Sequence, residues 1–178
     1  LSMSAILHNK LDSQSRQVLD NANNVINEAI DNIKEISNNL SPHVLSNFGL
    51  ASAIRNFASK VGQTKTVNIN FETALTDTDR FDSNVEIILY RAICELINNT
   101  IKHAEASNID ISLQKVQHTL VIKYDDNGKG FDTEAINTGA NKGMGLSNIS
   151  SRINSINGVF VINSAHGDGT HAIIKVRV

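Results

Sequence analysis

RAICELINNTIKHA, residues Arg91 to Ala104, winds into a helix with two unlike sides. At about 100° per residue, Glu95, Asn99, Lys102 and His103 share one stripe, with Arg91 and Asn98 at its edge. Leu89, Ile93, Leu96, Ile97, Thr100, Ile101 and Ala104 cover the opposite side. Taken alone, such a pattern describes a solvated helix face. This stripe, however, repeats an acid, an amide and two potential cations at one-turn steps. An amide oxygen and a carboxylate suit a hard cation such as Mg²⁺, while lysine and histidine suit phosphate oxygens.

Downstream of this helix, expected over 83–103, come three glycine clusters. The first is Asp125-Asp126-Asn127-Gly128-Lys129-Gly130-Phe131-Asp132, directly after a β-rich run. Glycines two apart permit positive φ and close approach of the backbone to a ligand. A carboxylate at the end of a buried strand can accept a hydrogen bond from an exocyclic amine; adenine offers that donor, where guanine presents a carbonyl. The second cluster, Gly143-Met144-Gly145, leads into Leu146 and a helix over 146–157, with Lys142 just before it and Arg152 inside it. Unpaired N–H groups at such a helix start form an anion site. Residues 133–142 between these clusters have the small, polar composition of a lid. The third cluster, Gly167-Asp168-Gly169-Thr170, lies in a hairpin turn, and Thr170 adds a hydroxyl suited to phosphate. No GxxxxGK[ST] phosphate loop is present, and GKGFD does not open a helix as a dinucleotide fingerprint requires.

Around these motifs, alternation predicts strands over 66–71, 108–113, 119–124, 159–162 and 171–178. The second and third form a hairpin through Gln117-His118. A short helix over 50–61 precedes them. The segment from 62 onward is therefore an α+β layer sandwich with mainly antiparallel neighbours. Upstream, Val18, Ala22, Val25, Ala29, Ile33, Ile36 and Leu40 step by three or four, the seam of a helical bundle, and Asp12-Ser13 caps its long helix. A lone hairpin over 1–41 cannot bury that seam, so a second copy completing a four-helix bundle is expected. The single proline, Pro42, is read as the end of the long helix, and 42–49 as a linker to a domain over 50–178.

Composition narrows the function classes. The 178 residues carry a formal charge of −2, which argues against a generally nucleic-acid-binding surface. With 40% hydrophobic residues, 4% aromatic and no Trp, the core is aliphatic. The single cysteine, Cys94, rules out an intramolecular disulfide framework, fits a reducing compartment and is read as packing. No apolar run is long enough to span a bilayer, so no membrane contact is expected of this stretch. The helix-like opening LSMSAIL, with no start signal, reads as a fragment of something longer.

The joint order of acid-amide-Lys-His helix, strand ending in DxGxG, lid, GxG before a helix and GxGT before a strand resembles the Bergerat-type ATP-binding domain. That domain is shared by sensor histidine kinases, gyrase-type topoisomerases, heat-shock chaperones and mismatch-repair ATPases. ELINNTIKHA looks like the N box of a histidine kinase, and DNGKGFD and GMGLSNISSR look like its two glycine boxes. A helix ending near NNLSP, followed by NFGLASAIRNFA, is similar to kinases that pair with LuxR-like response regulators. The resemblance implies ATP and Mg²⁺ as cofactors, a homodimer through the N-terminal helices, a response-regulator partner and a cytoplasmic location, in a parent that is soluble or membrane-anchored.

Carried over by position, Asn99 coordinates Mg²⁺, Lys102 and His103 lie near the phosphates, and Asp126 reads adenine with Gly128 and Gly130 giving the base room. Lys142, Gly143, Met144, Gly145 and Leu146 stand near the phosphate chain, and Thr170 supplies its hydroxyl. Glu95 occupies the place where the group's hydrolases keep a water-activating base; in the kinases it is read as orienting Mg²⁺ or its waters. The sequence departs from the family at the phosphoacceptor, because His8 is followed by Asn9 and Lys10 rather than by an acid, and His43 falls after Ser-Pro. The expectation is that the acceptor precedes Leu1. The competing readings are a Bergerat ATPase, an anti-sigma-type serine kinase and a non-catalytic helical interaction module.

Overall fold

A computed structural model describes residues 42–64, 67–133 and 144–178. The hairpin expected over 1–41 with His8, nearly all of the lid, and Lys142 and Gly143 lie outside the described residues. Pro42–Val178 form one compact unit. Among the described residues no helix is long and apolar enough to cross a membrane.

Helix α1, Pro42–Thr64, starts eight residues before the helix expected at Leu50, so helical geometry runs through the segment read as a linker. Proline is compatible with the first helical position, where its missing N–H has no partner to lose. Within α1 a break comes at Gly49, whose φ of 73° and ψ of 179° are open only to glycine. Arg80 secures the piece before the break. Its guanidinium grips the buried Glu86 carboxylate with two bonds, at 3.1 and 3.0 Å, and donates to Ser46 O at 2.9 Å. That carbonyl is one of those left open where the first helical piece stops.

Strand β1, Asn68–Thr73, leads through helix α2, Ser83–Asn99, to β2, Asn108–Val116, and β1 and β2 pair in parallel as a βαβ unit. Asp82 caps α2 by accepting from the Asn84 and Val85 amides. β2 turns at Gln117-His118 into β3, Thr119–Asp126, the expected hairpin. Helix α3, Met144–Ser155, is followed by β4, Val159–Ala165, and β5, Gly169–Arg177. The sheet order is β1-β2-β3-β5-β4, and every pair except β1–β2 is antiparallel. This is the expected mixed sandwich. One core joins Leu50 and Ile54 of α1, Leu89, Ile93 and Ile97 of α2, Ile149 and Ile153 of α3, and the inward residues of the sheet. The outer face of the sheet stays polar or exposed, as at Lys123, His171 and Lys175.

Alternation positions the site. On β3, Leu120, Ile122 and Tyr124 point inward in turn, so Asp126 is the next inward residue, at the end of that row. Thr170 faces it across β5 in direct register.

Candidate functional site

Helix α2 does not continue regularly to His103. After Asn99 it widens into a π-helical turn, Thr100–Ala104, and Glu105 closes it at φ 55°. Such widened turns concentrate at functional sites. Glu95 and Asn99 stay half-buried, whereas Lys102 and His103 are exposed.

A cavity of about 640 Å³ opens against this turn. Its lining includes Asn99, Lys102 and His103 from the end of α2, Gly145 and Leu146 at the start of α3, and Tyr124, Gly130 and Thr170. Gly145 packs so closely on α2 that a Cβ there would meet the Glu95 carboxylate and lie 3.4 Å from Asn99 Nδ2. The acid, the amide and the helix start are thus brought together. Lys142 and Gly143 lie outside the described residues, as does the Met144 side chain.

Asp126 is only 4% exposed and joins the cavity through hydrogen bonds rather than as open lining. Its Oδ1 accepts from Gly128 N at 2.9 Å and its Oδ2 from the Thr100 hydroxyl at 2.6 Å. Glycine is required at 128 because a side chain would lie 2.5 Å from Ala104 O. The same loop is fastened by Lys129 N donating to Ala104 O at 2.8 Å and by Gly167 N donating to Lys129 O at 2.8 Å. The loop carrying Asp126 is therefore anchored both to the π-helical turn and to the β4–β5 turn.

Thr100 was read as part of the apolar side of α2. It is buried there, but its hydroxyl works as a polar group, 2.7 Å from the Tyr124 hydroxyl and bonded to Asp126. Burial pushes the Tyr124 phenol above its ordinary value of 10, so it remains a neutral donor. Motif reading also passed over Lys129, Phe131 and His166, which line the cavity. Lys129 and Phe131 lie inside the quoted DNGKGFD run; His166 carries no spacing signal. Burial likewise raises the Cys94 thiol to about 12, in keeping with a packing role.

Among the described residues, a five-stranded mixed sheet under three helices, with a cavity between an Asn-bearing helix end, an Asp-Gly loop and a glycine-led helix start, defines a Bergerat-type nucleotide-binding sandwich. Residues 84–178 match the family described as histidine kinase-, DNA gyrase B-, and HSP90-like ATPase, and the chain belongs to that family. It is 30% identical over 156 residues to the sensor histidine kinase ComP of Bacillus subtilis, covering 88% of this chain and 20% of ComP. It is 26% identical over 172 residues to the oxygen sensor histidine kinase NreB of Staphylococcus carnosus, covering 95% of this chain and 49% of NreB. To the histidine-protein kinase/phosphatase DegS of Brevibacillus brevis it is 29% identical over 175 residues, covering 97% and 44%. The chain thus spans less than half the length of these relatives. Its fold matches the histidine kinase domain of the Erythrobacter litoralis EL346 blue-light activated kinase, with a TM-score of 0.64 at 12% identity over 97% of this chain and 92% of that one. It matches Acinetobacter baumannii AdeS with a TM-score of 0.55 at 20% identity over 94% and 85%. The described unit is a domain of the histidine kinase-, DNA gyrase B-, and HSP90-like ATPase family.

Proposed function

We propose that the chain binds Mg²⁺–ATP in this cavity and, in its parent protein, directs the γ-phosphoryl group to a histidine nitrogen, from which a response-regulator aspartate receives it. In the first transfer the bond from the γ-phosphorus to the bridging oxygen breaks, ADP leaves, and a P–N bond forms. The observation that carries this reading is that the Asn99 amide, two potential cations and the start of α3 line one cavity, which the buried Asp126 carboxylate joins through Thr100.

Each residue has a role that its position supports. Asp126 accepts from the adenine amine, and Gly128 and Gly130 keep backbone close to the base. Lys102 and His103 face the phosphates, the amides of Gly145 and Leu146 offer donors at the start of α3, and Thr170 adds a hydroxyl. Among the described residues no group of three or more His, Cys, Asp or Glu is placed to hold a metal. Mg²⁺ is commonly held by one or two protein oxygens, with phosphates and waters completing its shell. Asn99 would hold it with Glu95 beside it, and when bound it neutralises charge on the phosphate oxygens. The protein's own share is positioning and electrostatics.

The same reading divides the chain into a dimerisation and phosphotransfer hairpin over 1–41, a link over 42–49 and the ATP domain over 50–178. The N-terminal helices are the proposed homodimer contact, and the proposed location is cytoplasmic.

The test is labelling of the parent protein with γ-labelled ATP. Label on protein that survives alkali and is lost in acid marks phosphohistidine and supports the proposal. Acid-stable label indicates a serine kinase, and free phosphate without labelled protein a hydrolase; either overturns the transfer step. In parallel, Asp126→Ala is expected to lower ATP affinity at least tenfold by calorimetry, given a charged acceptor contributing about 1.5–3 kcal/mol.

A further inference from the structure

The cavity lining holds a hydrogen-bond chain that no motif assigns. Thr100 Oγ1 donates to Asp126 Oδ2 at 2.6 Å and lies 2.7 Å from the Tyr124 hydroxyl, which also reaches Leu96 O at 3.2 Å. Thr100, Tyr124 and Asp126 are 3%, 1% and 4% exposed, so water does not compete for these bonds. The protons set the direction. A threonine hydroxyl has one proton, and Thr100 commits it to Asp126. Tyr124, whose phenol likewise has one proton, then donates it to Thr100 Oγ1 at 2.7 Å and shares it with Leu96 O at 3.2 Å as the longer arm of a bifurcated bond.

Leu96 lies four residues before Thr100. A threonine inside a helix ordinarily returns its hydroxyl to that i−4 carbonyl. Here the Tyr124 hydroxyl occupies it, alongside the Thr100 backbone N–H. Packing alone does not call for this arrangement, because the preceding inward residues of β3, Leu120 and Ile122, are aliphatic.

We infer that Tyr124 is a positioning residue for nucleobase selection. By donating to Thr100 Oγ1 while lying against Leu96 O, it turns the Thr100 proton toward Asp126, and so fixes the carboxylate as an acceptor for the amine of adenine and against the carbonyl of guanine. The inference rests on the proposed ATP reading and adds a determinant of base choice to it.

Displacement of a fluorescent ATP analogue by ATP and by GTP, with Mg²⁺ present, tests this in the full chain. Tyr124→Phe is expected to weaken ATP about three- to tenfold, the loss of roughly one hydrogen bond, while GTP is unchanged and the melting temperature stays near that of the unaltered protein. Thr100→Val is expected to narrow the ATP-to-GTP ratio similarly, and Thr100→Ser, which keeps the hydroxyl, to preserve it. Adding Tyr124→Phe to Thr100→Val should narrow the ratio no further, because Tyr124 acts through Thr100. An unchanged ratio in Tyr124→Phe, or effects that multiply in the double variant, overturns the inference. Asp126→Ala separates the two levels: wild-type ATP affinity there sinks the nucleotide reading itself, whereas lost affinity with an intact Tyr124→Phe ratio sinks only the positioning role.

Discussion

Asp125 and Asp126 are neighbours in sequence but face opposite sides of the sheet, and their partners differ accordingly. Asp126 turns inward to Thr100 and the Gly128 amide, whereas Asp125 turns outward and bonds His171 Nδ1 at 2.6 Å. His171 is the register partner of Asp125, just as Thr170 is that of Asp126. The outer pair therefore clips together the two strands that carry the inner one. The hydrogen bond to Asp125 raises the imidazole above its ordinary 6.5. A raised histidine value means that its stabilisation is fully present below about 6.5 and is lost as pH climbs through the higher folded value. Both side chains are about half exposed, so the contribution is screened and small. The melting temperature of the unaltered chain relative to His171→Gln should accordingly be highest in mild acid and shrink toward alkaline pH. A difference that is flat across that range would remove the clip. The polar stripe of α2 was legible residue by residue because its members stay at or near the surface. Thr100 was not, since a helical projection cannot tell a buried methyl from a buried hydroxyl until the strand facing it is known.

Among the elements, those with strong alternation or amphipathicity were legible: β2, β3, α2 and the closing pair of strands all form near the places their patterns indicate. The exceptions have local causes. The segment 42–49, expected as a linker, is helical from Pro42, which stands at the first position of α1 where proline is tolerated, with a break at Gly49. The end of α2 widens because the π-helical turn brings Ala104 O to Lys129 N and Thr100 to Asp126, contacts that only the assembled sheet provides. Loop glycines are constrained in the same way. Gly130 sits at φ 63°, and a side chain there would run into the carbonyl of Ala165. Gly130→Ala is expected to destabilise the domain by about 2–4 kcal/mol, from left-handed strain plus backbone displacement. Gly167→Ala, with φ 89° but nothing within 4 Å of the added methyl, should cost about 1–2 kcal/mol from the backbone alone. Chemical denaturation of the two variants measures the gap, and equal losses would show that the close approach to Ala165 is unimportant.

At the scale of the whole unit, the sheet separates two tasks. Its inner face builds the core and, at Tyr124 and Thr170, part of the cavity lining; its outer face remains hydrophilic apart from a few valines and Ile173. The helices are arranged so that the end of α2 and the start of α3 meet at that cavity, and Gly145 allows the meeting. The order of motifs along the chain announced the family; the depth of Asp126 and the chain of hydroxyls behind it needed the fold. The most direct measurement is a crystal structure of this chain grown with Mg²⁺ and a non-hydrolysable ATP analogue. The account predicts the adenine amine on Asp126, and the phosphates between Lys102 and the amides of Gly145 and Leu146, with Mg²⁺ on the Asn99 side chain. A nucleotide bound outside this cavity, or with its phosphates at Asp126 and its base at Asn99, would contradict it.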